Sequence, residues 1–93
     1  MKKYLLDARA MNHPEPLERA ISILRNLDKR GYLYMIHRMQ PIPLLALAND
    51  YNLNAISFEN EGVWHILITP NREVDLKELL ELDIEKEALD VSK

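Results

Sequence analysis

Two prolines two residues apart, inside Asn12-His13-Pro14-Glu15-Pro16-Leu17-Glu18, limit this chain more than any other stretch. A proline has no N–H and a fixed φ. Such a pair is tolerated only where a helix begins, because the first-turn amides have no intrahelical partner. The residues around the pair agree. Tyr4-Leu5-Leu6-Asp7-Ala8 before it reads as a short strand, and Leu17, Ala20, Ile21, Leu24 and Leu27 after it recur at helical spacing. Glu15 and Glu18 put negative charge where the helix dipole is positive. The spacing therefore predicts a strand-to-helix junction with Asn12 or His13 as the capping residue. An imidazole left uncapped there has a lone pair to offer a metal ion or a ligand.

The chain continues in the same alternating manner. Lys29 and Arg30 followed by Gly31 predict the end of the first helix, with the glycine as its left-handed terminator. Tyr32 to His37 then reads as a second strand. A right-handed βαβ crossover would make these strands parallel and bring Arg9, His13 and His37-Arg38 to one edge of the sheet. Pro41-Ile42-Pro43-Leu44-Leu45 starts a second helix that is apolar nearly all round, hence expected to be short and deeply packed, with Asn52 left-handed at its end. Ala55–Glu59 and Val63–Thr69 predict two strands joined through Asn60-Glu61-Gly62 as a bulged hairpin. Asp75-Leu76-Lys77-Glu78 has the form of a capping box opening a helix to about Leu82, and the residues beyond Glu85 are expected to be loosely held.

The order β-α-β-α-β-β predicts an α+β two-layer sandwich: a mixed four-stranded sheet, two helices on one face, and a C-terminal helix. The division expected is a domain over 1–70 and a helical extension over 71–93. Alternation along the last strand gives both sheet faces apolar area, so the second face must be covered. Either the C-terminal helix through Leu76, Leu79 and Leu80 covers it, or a protein partner or second copy of the chain docks there.

Composition removes several function classes. The 93 residues contain no cysteine, which excludes disulfides, thiolate nucleophiles and cysteine metal sites. The formal charge is −3 with no basic stripe, which argues against nucleic-acid binding. Apolar runs such as Leu44 to Ala48 are far too short to span a membrane. The opening Met-Lys-Lys-Tyr-Leu-Leu-Asp lacks the apolar stretch of a signal peptide, so a cytoplasmic location is expected. With only Gly31 and Gly62 there is no phosphate-cradling loop, and Ser22, Ser57 and Ser92 are scattered; a non-enzymatic role is expected.

Leu6-Asp7-Ala8 followed by His13-Pro14-Glu15-Pro16 resembles the TusA/SirA-like sulfur carriers, in which Cys-Pro-x-Pro follows Leu-Asp-Ala and the cysteine carries a persulfide. The resemblance covers roughly Tyr4 to Thr69. Here His13 stands where the carrier's cysteine would, and an imidazole cannot provide the sulfur leaving group that relay requires. The chain is more similar to a related TusA-like family of bacterial domains of unknown function. That family shares Leu6 to Arg9, Pro14 to Glu18 and Pro41 to Leu45. This likeness implies the sandwich fold, with the last strand antiparallel beside the second, and implies no particular function.

Three kinds of site follow as expectations. A ligand-binding edge at the first helix start would use Arg9, His13, Glu15 and Arg38, with the two arginines positioned for a small anion unless Asp7, Glu15 and Glu18 neutralise them. A zinc or copper site would need His13, His37 and His65 to converge, with Met11 and Met39 available to Cu(I). No other cofactor is expected. The third is the protein-interaction surface on the open sheet face or C-terminal helix.

Overall fold

Strand alternation decides which side chains meet, and it sorts the protein into two separate cores. A computed structural model describes residues 1–91, with side chains described through residue 86. Its elements are β1 (Lys2–Asp7), α1 (Glu15–Arg25), β2 (Gly31–His37), α2 (Ile42–Asp50), β3 (Asn54–Asn60), β4 (Val63–Thr69) and α3 (Leu76–Val91). The sheet order is β1-β2-β4-β3, with β1 and β2 parallel and both other pairings antiparallel. This is the predicted α+β order.

On one face Leu6, Leu33, Met35, Ile66 and Ile68 pack against Ala20 of α1 and against Leu44 and Ala48 of α2. On the other, Tyr32, Tyr34, Ile36 and Leu67 pack against Leu76 and Leu80 of α3. The second face is thus covered by the chain's own C-terminal helix. The segment read as an extension shares a core with the sheet.

Element ends show where local signals misled. Pro14 takes the N-cap position of α1, and neither Asn12 nor His13 caps the helix through its side chain. At the other end, α1 stops at Arg25 instead of running to Arg30. Asn26 closes it: its side chain donates to the Ser22 carbonyl at 3.0 Å and its amide to that of Ile23 at 3.1 Å. The Asp28 carboxylate then accepts from the Arg30 amide at 2.8 Å and turns the chain into β2. Gly31 is accordingly the first residue of β2 rather than a helix terminator. The close approach of its neighbours favours a glycine there: a Cβ would come within 3.0 Å of Leu27 Cδ2 and 3.1 Å of the Tyr4 ring, so those side chains would have to shift by a few tenths of an ångström.

Helix α2 ends as expected on a left-handed Asn52, φ 57°. The Leu53 amide donates to the Ala48 carbonyl and the Asn52 amide to that of Asn49, the paired bonds of a Schellman motif. Its expected deep packing does not occur. Leu44 and Ala48 are buried, but Ile42 is 65% exposed, because only one side of α2 meets the sheet. The hairpin has no bulge either. Asn60 pairs with Val63, and the two loop residues, Glu61 (φ 53°) and Gly62 (φ 80°), both take the positive φ of a type I′ turn.

Helix α3 opens on Asp75, whose carboxylate accepts from the Glu78 amide at 3.3 Å, one half of the capping box. It extends well past Leu82, to Val91. The apparent break in its pattern is Asp83, an acid on the buried stripe with Leu76, Leu80 and Ile84. Asp83 accepts a hydrogen bond from the Tyr32 hydroxyl at 2.9 Å and lies 3.6 Å from Lys3 Nζ. The expected looseness of the last residues concerns, at Ser92 and Lys93, positions outside the described residues.

Burial first, then the hydrogen bond to Asp83 and its charge, raise the Tyr32 phenol well above its ordinary value. A phenol titrates near 10 in the unfolded chain, so a raised folded value gives stability that is present below about pH 10 and declines above it. Denaturant titrations between pH 9 and 11 should show that decline, and Tyr32→Phe should flatten it. An equally steep decline in the variant would place the alkaline transition elsewhere.

Candidate functional site

Parallel pairing puts the C-terminal ends of β1 and β2 on one edge, and both chains leave that edge toward helix starts. The Ala8 amide still donates to the Ile36 carbonyl at 2.8 Å; beyond it the two loops diverge and a pocket of about 330 Å³ opens between them. Arg38 ties the loops together through a 3.3 Å bond from its guanidinium to the Met11 carbonyl. The pocket floor is apolar, made by Met35 and Leu44 with Pro16 and Leu17. Its polar groups are Asn12, His13, His37, Arg38 and Gln40; among the described residues no acidic side chain lines it.

His37 occupies a defined state. The Arg38 backbone N–H donates to His37 Nδ1 at 3.0 Å, so Nδ1 must be the ring's acceptor. In the neutral ring the proton is then on Nε2. Burial, with the neighbouring Arg38 charge, lowers the pKa of this imidazole below its ordinary value and favours that neutral form. His13 lies in the exposed turn before α1, and the His13–Pro14 peptide bond is cis. Among the described residues, neither His13 nor Asn12 makes a side-chain hydrogen bond to the protein, so capping does not consume them.

Of the residues predicted for the ligand edge, His13 and Arg38 line the pocket, and His37 joins them. Arg9 and Glu15 do not. Arg9 turns back on Asp7 in a two-pronged pair of 2.9 and 2.7 Å, which also holds the Asp7 carboxyl below its ordinary range. Glu15 pairs with Arg19 one helical turn away at 3.2 Å. Neutralisation thus removes Arg9 from the proposed anion pair. Arg38 differs, having no carboxylate partner among the described residues.

The three histidines do not converge. In the β2–β4 register Ile36 faces His65 and His37 faces Trp64, which sends His37 and His65 to opposite faces of the sheet. His65 is buried on the α3 side, sharing a 2.8 Å hydrogen bond with the Tyr34 hydroxyl. Among the described residues no group of three His, Cys, Asp or Glu is placed to hold a metal ion. The expected zinc or copper centre of His13, His37 and His65 is therefore corrected by strand parity.

Two features escaped the sequence reading. Gln40, which donates to Ser57 Oγ at 3.2 Å, and the buried Met35 complete the pocket, yet nothing local marks either. The buried polar contacts of Tyr32, Tyr34, His65 and Asp83 were also missed, although the Tyr-x-Tyr alternation in β2 was a usable sign.

No protein-family model and no curated protein matches the sequence. Among solved structures, a SirA-like protein from Desulfitobacterium hafniense aligns with a TM-score of 0.58 and 22% identity, over 69% of this chain and 92% of that one. This chain has a SirA-like fold. At that identity the likeness concerns architecture alone. The SirA-like sheet and its two helices build the edge described above, and α3 lies on the opposite face. Among the described residues no helix is long and apolar enough to cross a membrane.

Proposed function

We propose that this SirA-like fold serves as a small non-enzymatic binding domain whose ligand site is the pocket at the β1 and β2 ends. One observation carries the reading: Arg38, a guanidinium without a carboxylate partner among the described residues, stands beside His37 over a floor of Met35 and Leu44. A pocket of about 330 Å³ is at the lower end of the range of small-molecule sites. The side chain of Met39, which lines the pocket and is 67% exposed, extends the apolar surface available to a ligand. Relay of sulfur on a residue of this chain has no support, because the sequence contains no thiol.

The methionines supply the test. Met11, Met35 and Met39 line the pocket, whereas Met1 lies away from it, near Tyr32 and Leu79. With methyl-labelled methionine, a fragment mixture of anionic and neutral compounds should shift the first three signals and leave Met1 in place. A mixture that moves none of the three would overturn the proposal.

A further inference from the structure

We infer that the pocket's ligand is a monocarboxylate with a short apolar body, held by its carboxylate at Arg38 and by its tail over Met35 and Leu44. The inference deepens the proposed binding function and rests on it.

The charge count comes first. Among the described residues Arg38 is the pocket's one permanent cation, and none of them brings a carboxylate to the walls to compete for it. A single guanidinium matches a singly charged planar acid, whose two oxygens can take its parallel N–H groups. A phosphate dianion would call for a second cation, and Arg9 is already committed to Asp7.

The state of His37 narrows the choice further. With Nδ1 accepting a backbone N–H at 3.0 Å, Nε2 of the neutral ring carries a proton and presents a donor. A donor suits a carboxylate oxygen. It does not suit a metal ion, which needs a ring lone pair and normally has the opposite nitrogen donating to an acceptor.

Arg38 is exposed, so its charge is screened and an ion pair alone would hold little. Apolar contact must supply the remaining affinity. Met39 is 67% exposed and Met11 and Leu17 are partly exposed, so a short acyl chain or one ring laid against them over the Met35 and Leu44 floor removes apolar area from water.

The test titrates the full chain with hexanoate, hexanol and inorganic phosphate, reading the methionine methyl signals. Hexanoate should shift Met11, Met35 and Met39 saturably, with hexanol weaker on the order of tenfold, the factor expected for losing one charge-assisted contact. Arg38→Gln, which removes the guanidinium together with its bond to the Met11 carbonyl, should keep a cooperative melt and bring hexanoate down to the level of hexanol. Equal binding of hexanol and hexanoate by the wild type, or undiminished hexanoate binding by Arg38→Gln, overturns the carboxylate assignment and leaves the binding function standing. Tighter binding of phosphate than of hexanoate does the same. Silence of all three methyl signals toward hexanoate and hexanol overturns the assignment; silence toward the broader fragment mixture as well removes the binding function beneath it.

Discussion

Ending the chain at Asn71 should abolish cooperative thermal unfolding and leave no soluble monomer. The truncation strips α3 from a sheet face that presents Tyr32, Tyr34, Ile36 and Leu67. The side chains lost include Leu76 and Leu80, both buried, and Val74, Leu79 and Ile84, partly buried against the same face. At about 1.5–3 kcal/mol for each fully buried side chain and less for the others, the loss is roughly 7–10 kcal/mol. That is comparable with the whole stability of a domain this size, about 5–15 kcal/mol. The exposed face would then seek another copy or aggregate. Circular dichroism melting with light scattering checks the outcome, and a truncated monomer that melts like the full chain would show that α3 contributes nothing to the core.

Asp83→Ala should cost about 2–4 kcal/mol, because it leaves the Tyr32 hydroxyl buried without its Asp83 acceptor and removes the carboxylate 3.6 Å from Lys3 Nζ. For a domain of this length that corresponds to a melting temperature lower by roughly 10–25 °C. Asp83→Asn is the milder change. Its carbonyl can still accept from Tyr32 while the charge opposite Lys3 is gone, so a loss of roughly 1 kcal/mol is expected. Denaturant unfolding of both variants measures the difference. Equal, small losses would mean that Asp83 is solvated and that its place on the stripe is incidental.

Long-period patterns were legible in the sequence, and single residues with two possible roles were not. The proline pair predicted the start of α1, apolar spacing predicted its buried face, and the βαβ handedness placed His13, His37 and Arg38 at one edge, where the pocket forms. Gly31 and Asp83 show the limit. A glycine after Lys29-Arg30 has the same local appearance whether it ends a helix or admits the Tyr4 ring, and an aspartate in a helix reads as solvated until a tyrosine hydroxyl is known to face it. Arg9 and Glu15 were misplaced although their partners, Asp7 and Arg19, are two and four residues away. Such close ion pairs can be weighed from sequence. The apolar floor cannot, because Met35 and Leu44 come from a strand and a helix whose meeting depends on the completed fold.

The strand order has a consequence for synthesis. Because β4 lies between β2 and β3, the sheet has a gap at its centre until residue 69 has left the ribosome. Up to then β3 has no neighbour to pair with, and β2 has only β1 along one side. The emerging chain must hold those open edges apart until the last strand slots in and closes the sheet.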